Sequence, residues 1–108
     1  MKNNLIKTIA QALNLKHHFV ENTINLLDED ASVPFIARYR KDNTGGLNET
    51  QILSIKEMLE QIKELEKRKK YILKAIDEQG KLTPELKVKI ENTQELIALE
   101  DLYLPFKL

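Results

Sequence analysis

The sequence predicts an all-α fold: a multi-helix bundle with a helix-turn-helix-like N-terminal part and one long helix of about 30 residues. Three observations carry this. Only three glycines and three prolines punctuate 108 residues, and no run is rich enough in β-branched residues to suggest a hairpin. Leucine, isoleucine, lysine and glutamate recur at three-and-four spacing, the pattern of helices with one apolar face. No glycine or proline interrupts the stretch between Gly46 and Gly80.

The first helix is predicted over Asn4 to Leu13, where Leu5, Ile6, Ile9 and Leu13 share a face. A second follows over Lys16 to Leu27, with Phe19, Val20, Ile24 and Leu27 on its apolar side and Leu15 just ahead of it. So short a link forces a steep crossing, as in a helix-turn-helix pair. The acidic patch Asp28 to Asp30 ends the second helix, and Ser32 is placed to cap a short third one whose first turn accepts Pro34. On that helix Phe35, Ile36 and Tyr39 are expected in the core, with Arg38, Arg40 and Lys41 pointing outward. "DNTGG" then stops it, Gly45 and Gly46 being free to take positive φ.

The start of the next helix is doubly specified. Asn48 and Gln51 have the spacing of a capping box, and Leu47 and Ile52 that of a hydrophobic staple. A helix running from there to Gly80 is roughly 46 Å long at 1.5 Å per residue, against a diameter of about 30–35 Å for a globule of this chain length. Part of it is therefore expected to project from the bundle or to be sheathed by something outside the chain. Ile55, Met58, Leu59, Ile62, Leu65, Ile72, Leu73 and Ile76 form its apolar arc, which Glu66 and Lys69 interrupt. That arc is too wide for a coiled-coil seam and suits a helix buried by several partners. After Gly80, Thr83 caps a helix with Pro84 at its first position and Leu86 and Ile90 on its apolar side. A break at "ENTQEL" leads to a last helix built on Leu96, Ile97, Leu99 and Leu102. Leu104 and Pro105 end it, and Tyr103, Leu104 and Phe106 need cover, so the chain is expected to be a fragment of a longer protein. One helical domain is predicted over 1–108, with a three-helix part (1–46), the long helix (47–80) and returning helices (81–108).

Composition excludes several classes. Without cysteine there is neither a disulfide framework nor a thiolate metal site, and a reducing, cytoplasmic setting is expected. The N-terminal stretch lacks the apolar run of a signal peptide and the length of a membrane span. Seventeen basic residues balance seventeen acidic ones, and the balance holds locally, with six of each in residues 1–50. No block acts as a polyelectrolyte on its own, so non-specific electrostatics predict weak nucleic-acid affinity.

No catalytic constellation is present, and the chain is expected not to be an enzyme. His17 and His18 face about 100° apart on a helix and cannot ligate one metal from one face. Gly45-Gly46 lacks the preceding strand and the following Lys-Ser/Thr of a phosphate loop. No metal or cofactor is expected. Two candidates for binding remain. Along the long helix, Lys56, Lys63, Lys67, Lys70 and Lys74 share one side and could track a phosphodiester backbone, although Glu60 with Lys63, Glu64 with Arg68 and Glu66 with Lys70 have the spacing to neutralise it. In "VPFIARYRKDNTGGLNE", Arg38, Tyr39, Arg40 and Lys41 combine cations with a ring that can stack. The competing reading pairs those arginines with the acidic patch or with Asp42.

That stretch resembles the "PFIARYRKE-TGGLDE" signature of the bacterial Tex family of transcription accessory proteins. The likeness continues through "EQGKLTPEL" and "LEDLYLPFK", three motifs in order over essentially the whole chain. Family members are several times longer. The resemblance implies an N-terminal helical part with a helix-turn-helix-like region, followed by a ribonuclease-H-like domain, helix-hairpin-helix motifs and an S1 domain. It also implies nucleic-acid binding and a role in transcription, shared in outline with a eukaryotic elongation factor and histone chaperone. The family usually continues after "LYLPFK" with a proline and a basic run, whereas here Leu108 follows. The domains with the best claim to nucleic acid are absent. The expected function is thus a helical scaffold of a Tex-like protein whose partners are RNA or DNA through the full-length protein, RNA polymerase and the remaining domains in cis, with no membrane. The alternative is a protein-interaction module docking on RNA polymerase or another domain through the long helix.

Overall fold

The computed structural model describes residues 2–107, with side chains from residue 4 onward; Leu108, where the sequence departs from the family pattern, lies outside the described residues. Among the described residues there are α-helices and one 3-10 turn and no strand, as the composition predicts. In order they are α1 (Lys2–Leu13), α2 (His17–Asp28), α3 (Val33–Tyr39), α4 (Lys41–Thr44), α5 (Glu49–Glu78), α6 (Pro84–Asn92), α7 (Leu96–Tyr103) and a 3-10 turn at Leu104–Phe106. They pack as two compact units, Met1–Ile62 and Lys63–Leu108. The long helix contributes residues 49–62 to the first and 63–78 to the second.

In the first unit Ile6 and Ile9 of α1, Val20 and Ile24 of α2, Ile36 of α3 and Ile52 and Ile55 of α5 are fully buried together. Each such side chain contributes about 1.5–3 kcal/mol by leaving water. The capping box forms as its spacing predicts: the Gln51 backbone N–H donates to Asn48 Oδ1 at 2.8 Å, and the Asn48 N–H to Gln51 Oε1 at 3.0 Å. Leu47 and Ile52, the two halves of the staple, are both buried in this core.

The C-terminal ends of α1, α2, α4 and α5 share one device. A residue in the left-handed region is followed by one whose N–H reaches back five positions, which satisfies a carbonyl the helix leaves open. Leu15 N–H bonds Ala10 O past Asn14 (φ 56°), and Ala31 N–H bonds Leu26 O past Asp30 (φ 66°). Gly46 N–H bonds Lys41 O past Gly45, and Lys81 N–H bonds Ile76 O past Gly80, both glycines having φ 70°. The glycine stops are those the sequence predicts. "DNT", expected as part of the stop, instead forms the extra turn α4.

The second unit is built on Ile72 and Ile76 of α5, Ile90 of α6 and Leu99 and Tyr103 of α7. Thr83 caps α6 as predicted, its hydroxyl accepting from the Leu86 N–H at 3.1 Å. Lys69, which interrupts the apolar arc, is buried, and its Nζ donates to the Glu91 carbonyl at 2.8 Å in the last turn of α6. A cation there meets the negative end of that helix. Arg68 joins α5 to α7: Nε donates to Glu100 Oε1 at 3.0 Å and Nη2 to Oε2 at 3.2 Å. The same guanidinium lies 4.8 Å from the Tyr71 ring centre and 5.5 Å from that of Tyr103. The hydrogen bond that Arg68 donates to Glu100 raises the Arg68 pKa above its ordinary value.

Candidate nucleic-acid interface

The corner from α3 to α5 is held from several sides. Ser32 caps α3, its hydroxyl accepting from the Phe35 N–H at 3.3 Å. Asn22 of α2 donates from Nδ2 to the Asn43 carbonyl at 2.8 Å and ties α4 down. Thr44 is buried, and its hydroxyl accepts from the Leu47 N–H. Gly45 lets the chain pass the Phe19 ring so closely that a Cβ there would sit 2.5 Å from it.

Upon this support α3 presents a surface the sequence reading placed differently. Ile36 is buried as expected, but Phe35 is 40% exposed and Tyr39 59% exposed. The correction has a geometric cause. Val33 and Ala37 are the residues packed beside Ile36 against the core. With about 100° per residue, the centre of that face lies on the far side of Ile36 from Phe35 and Tyr39. Two aromatic rings four residues apart are thus left side by side in solvent, their centres 5.3 Å apart and their planes at 47°.

The arginines complete the set. Arg40 places its guanidinium 5.0 Å from the Phe35 ring centre, and Arg38 places its own 5.6 Å from that of Tyr39. Arg40 also donates from Nη1 to the Tyr39 carbonyl at 3.1 Å. Among the described residues neither guanidinium is in an ion pair, so the expected pairing with the acidic patch or Asp42 does not form. Lys41 opens α4 and is exposed, with Asp42 the adjacent acidic residue. Phe35 is the member that sequence reasoning missed; its spacing from Tyr39, together with small Val33 and Ala37 on the other side, was the available signal.

Of the lysine row, Lys56 lies in the first unit and the other four in the second. Lys63, Lys67, Lys70 and Lys74 are all exposed along one side of α5, over a rise of about 16 Å. Local neutralisation differs from the spacing rule: Arg68 turns to Glu100 rather than Glu64, and Glu66 pairs with Lys69 at 3.4 Å rather than with Lys70. Among the described residues no group of His, Asp or Glu could hold a metal ion, and no helix is long and apolar enough to cross a membrane.

The described residues thus form an all-α module of capped helices with one exposed corner of cations and rings and one lysine row. Residues 3–77 match the Tex-like protein N-terminal domain. The chain is 48% identical over 104 residues to the transcriptional accessory protein Tex of Neisseria gonorrhoeae, covering 96% of this chain and 14% of that protein. It is 46% identical over 107 residues to the protein YhgF of Escherichia coli, covering 99% of this chain and 14% of that protein. A more distant relative, at 25% over 104 residues, is the S1 RNA-binding domain-containing protein 1 of Pongo abelii, where the match spans 96% of this chain and 10% of that protein. The chain belongs to the Tex family, and it spans about a seventh of the length of the bacterial relatives it matches.

Proposed function

We propose that this chain is the N-terminal helical scaffold of a Tex-like transcription accessory protein, acting in the cytoplasm without catalysis of its own. The full-length protein binds RNA or DNA mainly through domains outside these residues. The family match supports the transcription role, and the name of the distant relative supports an RNA-binding partner domain. Within the chain, Arg38, Arg40 and Lys41 add a contact to backbone phosphates, with Tyr39 beside them. The observation that carries this local contact is that both guanidiniums are exposed on a well-anchored helix and have no carboxylate partner among the described residues. Lys63, Lys67, Lys70 and Lys74 form a weaker second candidate, since carboxylates share their helix. The pair α1 and α2 counts as helix-turn-helix-like through its three-residue link, without making α2 a recognition helix.

Fluorescence anisotropy of labelled single-stranded RNA and duplex DNA against this chain tests the contact. Three phosphate contacts on a single strand give a loss of about 20-fold in affinity between roughly 50 and 200 mM salt, falling to about threefold in the Arg38→Ala/Arg40→Ala variant. No binding at tens of micromolar would refute the contact and favour docking on RNA polymerase or on another domain.

A further inference from the structure

We infer that α3 carries a stacking ladder for the unpaired bases of single-stranded nucleic acid, made by Arg40, Phe35, Tyr39 and Arg38 in that spatial order. The inference deepens the phosphate-contact reading and rests on it.

The four planar groups follow one another at 5.0, 5.3 and 5.6 Å between centres. Each step lies within the range at which ring–ring and cation–ring pairs attract. The rings are therefore held at defined spacing before any ligand arrives, which lowers the entropy lost on binding. Val33 and Ala37 take the places beside Ile36 against the core, while Phe35 stays 40% and Tyr39 59% exposed.

The chemistry of the ladder favours a single strand. In a duplex, base faces are covered by their neighbours and only edges and phosphates are open, so aromatic faces gain little there. An unstacked base offers its π-face to a ring or a guanidinium, while its phosphate meets the charges of Arg38, Arg40 and Lys41. An apolar protein partner would instead have to desolvate two guanidiniums that have no carboxylate to answer them.

The test uses this chain with the variants Phe35→Leu and Tyr39→Leu, singly and together. Both side chains are exposed, and circular dichroism checks that each variant folds. Probes are a labelled single strand of about 12 nucleotides, a duplex of the same sequence, and a single strand carrying 2-aminopurine. Expected is a loss of about fivefold or more per ring on the single strand, with duplex binding and salt dependence unchanged. The 2-aminopurine fluorescence is quenched by the unaltered chain and not by the double variant. If both variants bind the single strand as tightly as the unaltered chain, with the same steep salt dependence, the ladder is refuted and the phosphate contact stands. If the unaltered chain binds neither probe, both readings fall.

Discussion

Gly45→Ala isolates how tightly the corner behind the candidate interface is built. Gly45 has φ 70° and Gly46 φ 84°, so an alanine at either is placed in the left-handed region, at a strain of about 1–2 kcal/mol. There the likeness ends. A Cβ on Gly46 meets nothing within 4 Å, whereas one on Gly45 falls 2.5, 2.6 and 2.7 Å from three atoms of the Phe19 ring. Relief needs a shift of the ring by nearly an ångström, and overpacking of this kind costs about 1–3 kcal/mol. Phe19 is only half-buried and can yield somewhat, which places the excess in the lower part of that range. Gly45→Ala is thus expected to destabilise by about 1–2 kcal/mol more than Gly46→Ala, a further loss of about 4–8 °C in melting temperature per kcal/mol. Thermal unfolding followed by circular dichroism at helix wavelengths measures it on both variants. Equal losses would show that the Phe19 approach places no demand on the corner, and the packing argument for it would fail.

Two other expectations concern stability. Burial, and then the neighbouring Tyr71, raise the Tyr103 hydroxyl above the usual tyrosine pKa; the folded state therefore holds that proton more tightly than the unfolded chain. Stability from this group is fully present below the ordinary value near 10 and is lost as the pH rises through the raised one, so Tyr103→Phe should flatten the alkaline decline in urea-unfolding curves; an unchanged decline would refute the assignment. Asn48→Ala removes the acceptor for the Gln51 N–H and should lower stability by about 1 kcal/mol; because the box is reciprocal, adding Gln51→Ala should add less than its own separate effect, and strict additivity in denaturant titrations would refute the coupling.

Much of this chain is legible locally. The capping box at Asn48, the hydroxyl caps of Ser32 and Thr83 and the stops at Gly45 and Gly80 all involve residues within a few positions of each other. Asp30 takes the left-handed position within the acidic patch that the sequence places at the end of α2, whereas Asn14 ends α1 by the same device and escaped notice, because asparagine also serves many other roles at helix ends. The candidate site was only half legible. Arg38, Tyr39, Arg40 and Lys41 stand out by type and all prove exposed, but Phe35 reads as core on hydrophobicity alone.

By itself, then, the sequence determined the helical class, the order of the helices and most of their ends, because propensity, capping and turn chemistry act over a few residues. Tertiary structure decided which side of α3 is buried: a seven-residue helix is too short for periodicity to fix its face, and only packing of Val33 and Ala37 against the core settles it. It also decided that Arg68 reaches Glu100, 32 positions away, past the better-spaced Glu64, and that Lys69 lies buried against the end of α6. Such contacts depend on where helices meet in space, which no local pattern encodes.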